Sequence, residues 1–152
     1  MNSNIKLPQK ELYFILIFCS IIIFLNSIEV MINVKDMDLY KEWLSQMKES
    51  ENLNDVDMNY YELYLTYELR LFLMKIIIPM GLGIYSYFAS KFIRINKIYV
   101  YIWTILLLAS LVFTVLQVQF DSIFYYINII CYIVLVHTLL SLNKLINNGE
   151  NS

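Results

Sequence analysis

Long apolar runs broken by short polar stretches set the pattern of this chain. Residues 11–33 form the first run, ELYFILIFCSIIIFLNSIEVMIN. Further runs cover 69–92, 98–118 and 123–142. Four runs of about 20 residues each match a hydrocarbon core about 30 Å thick at about 1.5 Å rise per residue. Inside lipid every backbone polar group must be paired within its own segment, so the runs are expected to be helices. The fold class that follows is an all-α membrane protein, a four-transmembrane-helix bundle forming one polytopic domain over residues 1–152. The run 69–92 differs from a plain anchor, since it carries Arg70 and Lys75 near one end and Pro79, Gly81 and Gly83 in its middle. It is expected to be the helix around which the others pack, bent at Pro79. Ser86 and Ser90 form a small-xxx-small pair suited to close helix approach.

Residues 34–68 are the only sizeable polar segment between runs. Met37, Tyr40, Leu44 and Met47 recur at helical spacing with Trp43 beside them, which predicts an amphipathic helix over 38–48. Tyr60, Tyr64 and Tyr67 recur at i, i+4, i+7, which predicts a helix running on into the second span. Tyrosine and tryptophan favour the headgroup region, so the segment is expected to lie on the membrane surface. The tail after residue 142 reads as polar.

Charge then orients the threading. Lys6, Lys10, Lys91, Arg94, Lys97 and Lys144 all fall on one side, whereas residues 34–68 carry nine acids against three lysines. The positive-inside rule predicts both termini in the cytosol, segment 34–68 outside, and residence in the cytoplasmic membrane. The first run is too long for a signal-peptide core and no small-x-small cleavage site follows it, so it is expected to stay in the membrane. No basic stripe lies outside the loops, which leaves nucleic-acid binding without support.

Composition narrows the chemistry. The chain is 59% hydrophobic with mean hydropathy +0.58, more apolar than a soluble domain of its 152 residues. Cys19 and Cys131 are single residues inside apolar runs, so neither a disulfide framework nor a CxxC redox pair is present. There is no HExxH, no GxSxG and no phosphate-cradling glycine loop, and no enzyme is expected. With one histidine, His137, a histidine-rich metal or haem site has no ligands, and no cofactor is expected. Asp55-x-Asp57-x-Asn59 resembles the start of a calcium loop, but Tyr60 stands where glycine is required and Thr66 where glutamate is required.

Polar residues inside the runs are the remaining candidates. Lys75, Glu29, Asn26, Thr114 and Asn128 fall in one layer, with Lys75 about 9 Å inside the boundary if the helix enters at Leu69. They predict an intramembrane polar cluster with Lys75 and Glu29 as its ion pair; the competing reading has Lys75 snorkelling along its own stem. His137, the only histidine, joins this set from a second layer with Ser20, Cys19, Tyr85, Ser86 and Thr104, where interhelical hydrogen bonding is the simpler role.

The functional expectation is a binding protein. Tyr40, Trp43, Met47, Tyr60, Tyr64 and Tyr67 are the partner-binding candidates, because aromatic residues and methionine carry interface energy. The expected partners are membrane lipid and another membrane or secreted protein. Self-immunity against a secreted or pore-forming toxin, or an accessory role in secretion, suits a small motif-free bundle. The alternative is a homo-oligomeric transporter or channel subunit using Glu29 and Lys75.

Overall fold

The computed structural model describes residues 6–50, 59–92, 94–117 and 122–150. Its regular elements are five helices: α1 (Gln9–Asn33), α2 (Met37–Ser50), α3 (Tyr60–Lys91), α4 (Lys97–Leu116) and α5 (Ile123–Glu150). All but α2 are long and apolar enough to cross a membrane. No more than 39% of any apolar window is buried within the chain, so most of each helix's apolar surface faces outward. Tyr13, Ile17, Ile77, Ile105 and Ile133 are each more than half exposed on that exterior. An apolar exterior this extensive fits lipid and not water.

The helices close into a bundle in the order α3, α1, α5, α4, with lighter contact between α3 and α4. The tightest pair is α1 with α3, and α3 also touches α4 and α2, so the 69–92 helix shares the centre of the bundle with α1. Small residues on α3 shape these contacts. Gly83 turns its bare Cα towards Cys19 and Leu16 of α1, where an added Cβ would lie 3.8 Å and 3.9 Å from them. Gly81 instead seats the Trp103 ring of α4, and a Cβ there would come within 3.2 Å of it. Pro79 is buried inside a helix that continues from Tyr60 to Lys91. Ser86 is buried and shares a 2.7 Å hydrogen bond with Tyr99 of α4, while Ser90 is half-buried and donates to the Tyr87 carbonyl of its own helix.

The end of the last helix differs most from the sequence reading. The last helix runs eight residues past 142, because Leu139, Leu142 and Ile146 repeat at helical spacing and are buried in the core beside Leu7 and Ile95. At the start of α4, Asn96 accepts from the Tyr99 N–H at 3.0 Å and caps the helix. The turn at 119–121 and most of the Asp55–Asn59 motif lie outside the described residues.

Candidate functional site

A polar site forms where α1, α3 and α5 meet, near the end of the bundle that carries α2. Lys75 of α3 reaches Glu29 of α1 at 2.9 Å, and both side chains are nearly enclosed, 11% and 7% exposed. Lys75 thus turns into the bundle rather than snorkelling. A charge held there is costly unless paired, and the pairing supplies the compensation. Tyr132 of α5 donates to the Lys75 carbonyl at 3.2 Å, which ties the third helix to the same point.

One helical turn deeper on α1, Asn26 and Asn128 form a reciprocal amide pair. Each Nδ2 donates to the other's Oδ1, at 3.3 Å and 3.4 Å, and Asn26 also donates to the Ile22 carbonyl. One turn shallower, Asn33 donates to Glu68 at 3.2 Å. Asn26, Glu29, Asn33, Glu68 and Lys75 line one cleft of about 20 Å³, space for a single water. The cleft therefore holds two carboxylates against one lysine.

The sequence-derived cluster is split by this geometry. Asn26, Glu29, Lys75 and Asn128 come together. Thr114 is buried, but its hydroxyl donates to the Ser110 carbonyl of its own helix. His137 is exposed and sits nine residues along α5 from Asn128, about 13 Å away along the axis. It lines a separate crevice with Lys10 and Glu11. Asn33, Glu68 and Tyr132 were missed. Asn33 and Glu68 sit at the edges of apolar runs, where a polar residue is unremarkable until the helices are juxtaposed.

The aromatic residues do something other than wait on a surface. Tyr40 and Trp43 of α2 pack on Tyr61, Tyr64 and Tyr67 of α3, with ring centroids 5.4 to 6.0 Å apart. Tyr64 is only 1% exposed. Its hydroxyl donates to the Asn33 carbonyl at 2.9 Å, and Tyr61 donates to the Val34 carbonyl at 3.4 Å. The last carbonyls of a helix have no partner within it. These tyrosines, three residues apart, supply partners for the open end of α1. Asp36 then accepts from the Asp38 and Leu39 N–H groups and starts α2. Tyr60 lies beneath Lys48, whose ammonium is 5.9 Å from the ring centroid. Met47 is half-buried on α2.

The aromatic stripe thus serves as internal packing that fastens α2 to α3. What α2 and the start of α3 turn outward carries an acidic excess: Asp38, Glu42, Glu49 and Glu62 are exposed with Lys41 and Lys48 among them, and Lys41 pairs with Asp38 at 3.1 Å. Beside them, at the corner between α1 and α2, Ile28, Met31, Ile32, Lys35 and Asp36 line an open groove of about 520 Å³. Among the described residues no group of three or more histidine, cysteine or acidic side chains could hold a metal ion.

No protein-family model matches the chain, and neither a curated protein nor a solved structure is detectably similar to it.

Proposed function

We propose that this chain is a non-catalytic protein of the cytoplasmic membrane, with both termini in the cytosol, that binds another protein at its outer, acidic end. The observation that carries the reading is the fastening of α2. With its aromatic face packed on α3, the helix is a fixed platform with acidic residues outward and an apolar groove at its corner. Acid beside an apolar groove suits a cationic, amphipathic partner arriving from outside, and charge complementarity would speed its encounter. A secreted or pore-forming toxin against which the cell protects itself has this character, as does a client of a secretion machine. The orientation rests on the basic residues gathered at the opposite end.

Two measurements test this. A Glu49→Cys variant should react with an impermeant thiol reagent in intact cells, since Cys19 and Cys131 are buried and contribute little background. Labelling only after the cells are opened would reverse the topology and remove the proposal. In nanodiscs of neutral lipid, an amphipathic cationic peptide should bind the full chain more weakly as salt rises. The triple variant Asp38→Asn, Glu42→Gln, Glu49→Gln should abolish that salt dependence. Unchanged binding would refute the acidic face as the contact.

The second reading, a transporter or channel subunit, rests on the Glu29–Lys75 pair. It predicts that Glu29→Gln or Lys75→Gln abolishes function while the α2 variants do not. The cleft at the pair has room for one water, which offers little path for a larger solute.

A further inference from the structure

At the opposite end of the bundle, the start of α1 and the later part of α5 leave a crevice of about 280 Å³, lined by Lys10, Glu11, Phe14, His137, Thr138 and Ser141, with Val134. We infer that this crevice is a binding site for one membrane phospholipid with a primary-amine headgroup, of the phosphatidylethanolamine class.

Three observations converge. The first is position. Lys10 and Glu11 open α1, and His137 to Ser141 fall in the last two turns of the apolar run 123–142, so the crevice lies near headgroup level. Phe14 and Val134 line it as apolar residues, suited to the upper acyl chain.

The second is an unsatisfied acceptor. Glu11 is half-buried and lines the crevice, and its Oε2, turned in against the protein, has no hydrogen-bond partner among the described residues; a turn of the side chain brings that oxygen to the crevice. A buried carboxylate oxygen without a donor is unfavourable, and the ligand that relieves it must bring N–H or O–H groups.

The third is paired charge. Lys10 is exposed beside Glu11, and His137 is exposed one helix away. A phosphodiester is attracted to the Lys10 ammonium and can accept from His137, while the headgroup ammonium donates to Glu11 Oε2. The Thr138 hydroxyl donates to the Val134 carbonyl at 2.8 Å and keeps its lone pairs available to the same ammonium. The chemistry selects among lipids. A choline headgroup has the charge but no N–H to give. A glycerol headgroup can donate, but leaves the lipid anionic beside Glu11.

The test is native mass spectrometry of the full chain released from mixed micelles holding equal amounts of phosphatidylethanolamine, phosphatidylcholine and phosphatidylglycerol with matched acyl chains. One phosphatidylethanolamine should be retained in preference to phosphatidylcholine by about tenfold, the worth of one charge-assisted hydrogen bond. Glu11→Ala should reduce that preference to about unity. Lys10→Gln, a change on an exposed side chain, should lower retention of phosphatidylethanolamine while leaving the fold intact by circular dichroism. Equal retention of the amine and choline lipids, preference for the glycerol lipid, or an amine preference that survives in Glu11→Ala would each overturn the inference.

Discussion

Neutralising the buried ion pair one charge at a time should give an asymmetric result. Glu29 and Lys75 sit 2.9 Å apart, so at an effective dielectric of about 20 their attraction is about 6 kcal/mol. Desolvation offsets several kcal/mol for each ion, which leaves a small net contribution from the intact pair. Removing one partner is different, because the survivor keeps its desolvation cost without its counter-charge, and typical losses are about 3–5 kcal/mol. Here the two deletions are not equivalent, because Glu68 lines the same cleft. In Glu29→Gln, Lys75 retains a second carboxylate to turn to, and the loss should fall near the low end, about 3 kcal/mol. In Lys75→Gln, both carboxylates lose their cation, and the loss should approach about 5 kcal/mol. The double variant carries no pair to break and should cost only about 1–2 kcal/mol, giving a coupling of several kcal/mol. The assay is reversible unfolding in bicelles, by steric trapping, for all four corners of the cycle. Additive losses, or a Glu29→Gln variant less stable than Lys75→Gln, would refute the reasoning.

Other consequences follow from the packing. Gly83→Ala should stabilise the protein by up to about 1 kcal/mol, since alanine favours helix and the new Cβ meets Cys19 at an ordinary 3.8 Å. Gly81→Ala must displace Trp103 and should raise the melting temperature less than Gly83→Ala does; the reverse order would contradict the placement of the two glycines. Trp43→Ala removes two ring contacts, together about 1–3 kcal/mol, and should speed amide exchange across α2 without altering α4 or α5. Unchanged exchange in α2 would mean that the aromatic packing does not hold it. Asn26→Ala should strand the Asn128 amide and cost about 1 kcal/mol in bicelles, with Asn26→Leu/Asn128→Leu recovering most of it.

Run length and composition alone determine that this chain makes four membrane-length helices and one amphipathic helix. The reason is local: each run must satisfy its own backbone in lipid, and α2 announces itself by spacing. The Lys75 and Glu29 depths were also legible, because charge in an apolar run is conspicuous wherever it sits. Which polar residues meet was not. Asn33, Glu68 and Tyr132 acquire their roles only when α1, α3 and α5 are side by side. His137 stands apart from the cluster because nine residues along α5 put it about 13 Å from Asn128 and on the opposite side of the helix, a separation that the spacing already carried. Tyr64 looked like a contact for a partner because aromatic residues near a membrane surface suit both an interface and a core. Tertiary packing chose the core, since the open carbonyls ending α1 needed donors and the tyrosines of α3 were the ones in reach.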